Sequence, residues 1–419
     1  MRIALVSRES FPLYLEGEVG GIGRYVETTA RGLAGQGAQV VVLAQNLANE
    51  CWEKDIDGVK VLYLPKWEDT GPWSWRLRAM EAALLKTRPG AALWADVSDK
   101  QRRARIVSRY LARFDRQGPF FDLVEFPDCS AEAFYYSRRS RRPLCVTRLH
   151  GPTQMLCDLN GVRQNPSLKL LIWAERQAAA HCDHATAPSR FAARQAVDDW
   201  AMDHNTPYVL PNMLDTEVFS PPKARPEHKR AAVILFSGRL ERRKGLMAFP
   251  ETLAKVLEAG VDFECRLVGR DTDTGPGGCS MKGWLLDNCI SEVRKRLVFL
   301  GQMDKPKLIE ELRGADLGLY LSSYETFGYA CLEAQACGLP VVATRLGGTG
   351  EVTRHGLTGL LVDPEDCQAV AQAVKSLLEQ PERLASMGRA AREHARSEYS
   401  LEALSARTLE LYQSWTGRS

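Results

Sequence analysis

Two α/β domains, each a parallel sheet covered by helices on both faces, are the fold class this sequence predicts. Three observations predict it. At 419 residues the chain is too long for one ordinary core. Short apolar runs alternate with amphipathic helical stretches throughout, the pattern of parallel sheets buried on both sides. Prolines at 211, 221, 222 and 226 interrupt that alternation near the middle and mark 211–227 as an interdomain linker.

The first half opens with the apolar run Ile3-Ala4-Leu5-Val6, which predicts a strand at 3–7. A helix at 24–35 and a strand at 40–44 follow. Further apolar runs predict strands at 123–126, 144–149, 184–187 and 208–210, with helices at 168–182 and from Arg190. After the linker the alternation restarts, with strands at 233–237, 264–268, 298–300, 317–321, 341–344 and 359–362. Two helical stretches, 381–396 and 401–415, close the chain. These readings divide it into a first domain at 1–213, a second at 214–395 and a terminal helix at 396–419.

A formal charge of +3 gives no electrostatic argument for nucleic acid as a partner. Arginine is concentrated locally at 100–116 and 138–142. In the first of these, Ile106, Val107, Tyr110, Leu111 and Phe114 fall at helical spacing opposite the charges. Such a segment reads either as a peripheral membrane-surface helix or as an ordinary helix packed on its own domain. None of the 11 cysteines forms a C-x-x-C pair or shows zinc spacing, which suits small core residues in a reducing compartment. The first apolar run is too short for a signal peptide, and no stretch is long enough to span a bilayer. The expected location is cytoplasmic, with no cofactor and no metal.

Chemistry concentrates where the strand at 317–321 turns into a helix ending at Gly338. The junction reads Y-E-T-F-G-Y-A-C-L-E-A, with Glu325 at the helix mouth and Glu333 about one and a half turns inside. The first free N–H groups, around Thr326, Phe327, Gly328 and Tyr329, suit an anionic diphosphate or sugar hydroxyls, and the glycine allows close backbone approach. Directly after the first strand of the second domain comes F-S-G-R-L-E-R-R-K-G, which places Arg239 and Lys244 in one loop. Two cations there can neutralise a diphosphate. Arg242 and Arg243 read as solvated.

These two motifs resemble the retaining glycosyltransferases of family 4, whose signature is a pair of glutamates with seven residues between them. Arg239 and Lys244 match that family's diphosphate clamp position for position. The resemblance implies the GT-B arrangement: two facing Rossmann-like domains, an interdomain cleft, and a last helix crossing back onto the first domain. Leu401, Leu404, Leu409, Leu411, Tyr412 and Trp415 supply an apolar face for that crossing. The resemblance also implies that Glu333 holds the ribose of a nucleoside diphosphate sugar and that Glu325 contacts the transferred hexosyl unit. Backbone groups at Gln302 and Met303 would hold the base, with Gly269 lining the same site. The reaction implied is metal-independent front-face transfer to an acceptor hydroxyl, from a UDP-sugar first and GDP-mannose next. The acceptor is a sugar, a lipid-linked molecule or a small molecule.

Other features leave two readings each. Gly20, Gly21 and Gly23 precede the first helix without completing a dinucleotide fingerprint, which argues against NAD; the family places a donor-closing loop there. His150 ends a strand, where the family has a histidine approaching the transferred sugar or where a structural histidine sits. Asp128 contacts acceptor or caps the helix starting at Ser130. Trp67, Trp73 and Trp75 stack on an acceptor sugar or pack. Gly347, Gly348 and Gly350 allow close passage or structural packing. The loop 271–282 orders over donor or moves freely, and its Asp271-Thr272-Asp273 only nominally matches a metal motif. A nucleotide-sugar-binding regulatory subunit and a GT-B epimerase or phosphorylase share the architecture and are the alternatives.

Overall fold

The computed structural model describes residues 1–7, 9, 20–45, 51–65, 91–116, 118–159, 163–200, 206–223 and 231–417. The chain forms two compact units, Met1–Met213 together with Leu404–Ser419, and Leu214–Ala403.

The first unit holds eight strands: β1 (Arg2–Val6), β2 (Gln39–Gln45), β3 (Trp52–Ile56), β4 (Val59–Leu64), β5 (Leu123–Pro127), β6 (Leu144–Arg148), β7 (His184–Ala187) and β8 (Tyr208–Val209). Their order is β3-β4-β2-β1-β5-β6-β7-β8, parallel except for β3 against β4. Side chains alternate between faces. Ala4, Val6, Val41 and Leu43 therefore enter one core, while Ile3, Leu5, Val40 and Val42 enter the other. No apolar run announces the β3–β4 hairpin, because β3 is exposed along almost all its length. Its turn is Asp57-Gly58, both residues left-handed (φ 54° and 78°), which is the backbone a two-residue hairpin requires.

The arginine-rich segment lies in the helix Ala91–Phe114. Its Ile106, Val107, Tyr110 and Leu111 are buried in the core beside Val124 and Phe126. That packing corrects the membrane reading of 100–116, because the apolar face a bilayer would need is already covered. Among the described residues no helix is long and apolar enough to cross a membrane.

The last helix, Leu401–Thr416, sends Tyr412 into the core of Leu5, Val42 and Leu123. Residue 395, expected as a domain boundary, sits inside the helix Pro381–Tyr399, where Ala391, Ala395 and Tyr399 are buried. The chain turns only at the extended Ser400 and joins the first unit from Leu404. Of the expected linker, 224–227 lies outside the described residues. Its earlier part is packed, with Asn212, Met213, Leu214 and Phe219 buried.

The second unit has six parallel strands: β9 (Ala232–Ser237), β10 (Phe263–Val268), β11 (Leu297–Gly301), β12 (Leu317–Tyr320), β13 (Val341–Thr344) and β14 (Gly359–Val362). They are ordered β11-β10-β9-β12-β13-β14. The chain winds outward from β9 to β11, then returns to β12 on the other side of β9. That reversal opens a crevice beyond the carboxyl ends of β9 and β12, where open α/β sheets bind ligands. In the first unit the same reversal falls between β1 and β5.

Candidate functional site

At the reversal in the second unit, glycines let three strand ends crowd together. Gly238 and Gly269 have φ of 144° and 146°, and a Cβ on Gly269 would lie 1.9 Å from the Gly238 carbonyl oxygen. The amide of Leu240 donates to Arg270 O at 2.8 Å, and that of Gly269 to Gly301 O at 2.8 Å. Residues Arg242–Lys244 then form one 3-10 turn, closed by the left-handed Gly245. A Cβ there would meet the Leu321 carbonyl oxygen at 1.9 Å, so only glycine lets this cationic turn press against the end of β12. The amide of Ser323 fastens the contact by donating to Arg243 O at 2.9 Å.

The result is a chain of alternating charges. Lys244 Nζ donates to Glu325 Oε1, and Arg243 Nη1 lies 3.5 Å from the same oxygen. Glu241 pairs with Arg243 Nε at 2.7 Å and with Arg239 Nε at 2.9 Å. Arg239 is 53% exposed, whereas Lys244 and Glu325 are 14% and 15% exposed. Burial pushes the Glu325 carboxyl up, but the charges of Lys244 and Arg243 outweigh it and hold Glu325 below the usual carboxylate range. Burial lowers Lys244, with Glu325 opposing. Arg242 is exposed, but Arg243 is not the solvated side chain the sequence suggested, because two carboxylates pull it in.

The junction after β12 rests on the glycine run at 347–350. Gly348 N donates to Glu325 O at 2.7 Å, and a Cβ on Gly348 would come within 2.5 Å of Phe327 Cα. These glycines pack beneath the loop. Gly328, left-handed at φ 96°, opens the helix Tyr329–Ala336. The Phe327 ring is buried between Tyr329 and Tyr399, at centroid distances of 5.0 and 5.9 Å, which leaves its backbone for a ligand. Thr326 and Tyr329 are half-buried, and Glu333 is buried within the helix. At the far side of the crevice, Gln302 is exposed and Met303 half-buried just past β11.

The loop 271–282 is fastened, which decides against free movement. Asp271 accepts from Thr272 N and Lys282 N at 2.9 Å each and from the Ser280 hydroxyl at 2.5 Å. The Thr272 hydroxyl donates to Leu240 O at 2.6 Å. Asp271 is thus occupied in closing the loop on itself, while Thr272 and Thr274 tie it to the cationic turn.

In the first unit, Gly20 caps the helix Gly21–Gly35, and the amide of Gly23 donates to Glu9 Oε2 at 2.5 Å. His150 follows β6. Its amide and that of Gly151 donate to the two oxygens of Asp128 at 3.0 and 3.1 Å. This corrects the capping alternative for Asp128, whose side chain makes no cap hydrogen bond and clamps the His150 turn instead. Burial pushes the Asp128 carboxyl up to about 7. The His150 ring meets the Tyr25 ring edge-on at 4.9 Å, and burial together with the Arg148 charge holds it well below its ordinary pKa, hence neutral. Arg148, fully buried, lies 4.5 Å over the Tyr25 ring and donates to Leu210 O at 2.8 Å. Glu125 accepts from the hydroxyls of Tyr25 and Tyr412. Trp67, Trp73 and Trp75 lie outside the described residues.

Sequence reasoning missed Glu9, Glu125, Arg148, Glu175, Glu241 and Arg243. For Glu125, Arg148 and Glu175 a signal existed, since each is a charge inside an apolar strand or helix. Glu175 accepts from Ser130 N at 2.7 Å and Thr153 N at 3.0 Å, and so holds Ser130 at a left-handed φ of 67°.

Two α/β units, the second with a cationic, glycine-framed turn at its strand-order reversal, are the architecture of GT-B glycosyltransferases. Residues 221–394 match the family described as Glycosyl transferases group 1, and residues 19–218 match Glycosyltransferase Family 4. The chain belongs to the family 4 glycosyltransferases. A D-inositol 3-phosphate glycosyltransferase from Pseudarthrobacter chlorophenolicus is 32% identical over 232 residues, covering 54% of each chain. The chain thus spans about half the length of the curated relative it matches. Sucrose-phosphate synthase from Thermosynechococcus elongatus shares the fold with a TM-score of 0.76 at 21% identity, over 100% of both chains. Anabaena HepE, in complex with UDP and glucose, does so at 0.65 and 16% identity, over 98% of this chain and 99% of that one.

Proposed function

We propose that this protein transfers a hexosyl unit from a nucleoside diphosphate sugar to an acceptor hydroxyl, retaining the anomeric configuration. The observation that carries the reading is the chain Arg239–Glu241–Arg243–Glu325–Lys244 at the β9/β12 reversal, three cations against two carboxylates in one partly buried crevice. Such a cluster answers a diphosphate, whose charge grows as the glycosidic bond breaks. Arg239 and Lys244 neutralise it. Glu325 contacts the transferred sugar, and Glu333 holds the ribose. The backbone from Thr326 through Tyr329 meets the diphosphate, while Gly269, Gln302 and Met303 border the base.

In the first unit, His150 is kept neutral and able to share a hydrogen bond with a sugar hydroxyl, and Gly20, Gly21 and Gly23 stand at the start of the helix Gly21–Gly35, the end of a helix that favours an anionic donor. The acceptor oxygen attacks the anomeric carbon from the side the diphosphate leaves. The departing diphosphate oxygen takes the acceptor proton, so the step needs neither a protein nucleophile nor a metal. UDP is the favoured nucleotide, supported by the UDP-bound fold relative. The D-inositol 3-phosphate glycosyltransferase among the relatives makes a phosphorylated polyol the first acceptor to try, ahead of sugars and lipid-linked molecules.

A titration with UDP, GDP and ADP, each with and without magnesium, tests the proposal, since a ligand that binds the native state raises its stability. One nucleotide raising the melting temperature without metal is expected. No shift with any of them overturns the donor site.

A further inference from the structure

We propose that Glu241 is a positioning residue for transfer, which sets the outward cation Arg239 and keeps Arg243 from displacing Lys244 on Glu325. This rests on the diphosphate reading above. Glu241 is buried, at 5% exposure, and both of its oxygens face cations: Oε1 at 2.9 Å from Arg239 Nε and Oε2 at 2.7 Å from Arg243 Nε. The pairing takes Arg239 by its Nε edge, which leaves the two Nη atoms as the outer, ligand-facing end of a side chain that is otherwise half in solvent. Held that way, the guanidinium presents a fixed two-donor fork to a phosphate.

The second half of the argument concerns Arg243. Its carbonyl is pinned by Ser323, through the amide at 2.9 Å and the hydroxyl at 3.1 Å, so its backbone cannot move. Its side chain already stands 3.5 Å from the Glu325 oxygen that Lys244 uses. Glu241 draws it the other way. Without Glu241, Arg243 closes on Glu325, Lys244 loses its place, and Arg239 samples many rotamers.

The sign of the effect separates this role from a simple counter-charge. Glu241 is a negative charge beside an anion site, so by Coulomb attraction alone its loss strengthens diphosphate binding. If it positions, its loss slows transfer, because orientation of the cations matters most when the leaving group is most charged. Binding and turnover then move apart.

The experiment measures kcat and donor KM by nucleoside diphosphate release, the Kd of the nucleoside diphosphate by calorimetry, and the melting temperature. It covers Glu241→Gln and Glu241→Ala, each in the wild-type and Arg239→Ala backgrounds. Gln keeps one acceptor for Arg239 and provides the folded control. Expected is a graded fall in kcat, about threefold for Gln and at least about tenfold for Ala, with nucleotide affinity unchanged or tighter. In the Arg239→Ala background the further loss from Glu241→Ala shrinks below the loss in the wild-type background, since one of the two cations it positions is gone and only Arg243 is left to stray. Full multiplicativity of the two losses, an unchanged kcat, or weakened nucleotide binding in step with kcat overturns the proposal. A wild-type protein that binds no nucleoside diphosphate overturns the donor-site reading and this inference with it, a result recognisable before any variant is made.

Discussion

Replacing Lys244 by alanine removes the cation closest to Glu325 and separates a chemical role from a structural one. Breaking a buried ion pair costs about 3–5 kcal/mol when the remaining charge is left uncompensated. Here it is not: Arg243 Nη1 stays 3.5 Å from the same Glu325 oxygen, and the Ser322 hydroxyl lies at 3.4 Å. The loss of stability should therefore be only about 1–2 kcal/mol, below that range. For a unit of this size that lowers the melting temperature by roughly 2–8 °C. The chemical loss is larger, since a preorganised group aimed at a developing charge contributes about 10²–10³ to kcat. The assay is nucleoside diphosphate release at saturating donor, well below the variant's melting temperature, with calorimetry of the free nucleotide alongside. Activity within about threefold of wild type, together with the small drop in melting temperature, refutes the diphosphate role and leaves Lys244 as a counter-ion for Glu325.

Three further outcomes are expected. Glu333→Ala should weaken the nucleoside diphosphate that the wild type binds by about 10–100-fold, the range for losing a hydrogen bond to a charged group; unaltered calorimetric affinity removes the ribose role. Asp128 has a folded pKa of about 7 against an ordinary 3.8, so the folded state keeps a proton that the unfolded chain releases between those values. Its contribution is full at the acid end and is lost as pH rises through about 7. Wild type should therefore lose more stability than Asp128→Asn between about pH 5 and pH 8, and parallel melting curves refute the assignment. Tyr412→Phe removes one of two phenols donating to the buried Glu125 and should cost about 1–3 kcal/mol in denaturant unfolding.

What the sequence disclosed followed from range of interaction. Strands such as β9 and β13 are legible because a strand buried on both faces is an uninterrupted apolar run, whatever its neighbours are. The β3 strand, W-E-K-D-I, is exposed along almost all its length, so no apolar run announced it; its Asp57-Gly58 turn was the available signal. Arg239, Lys244 and Glu325 were found as motif positions, but their mutual contacts were not. Arg243 sits in an R-R-K run that looks solvated, and only the fold brings it to the distant Glu325. For Asp128 the local sequence offers a cap or an acceptor contact, whereas the amides it clamps lie 22 and 23 residues ahead.

The first unit is assembled from two lengths of chain with all of Leu214–Ala403 between them. A ribosome adding roughly 5–20 residues per second needs about 10–40 s to make that intervening length. Throughout this interval Tyr412 does not yet exist, and Glu125 has only Tyr25 of its two phenol partners. The sheet face that Leu409, Leu411, Tyr412 and Trp415 later cover stays open to water and to chaperones. The earliest-made half is therefore the last to be finished. A premature stop within the final helix would release a complete second unit attached to an unclosed first one, a product expected to bind nucleotide and to aggregate through its uncovered sheet.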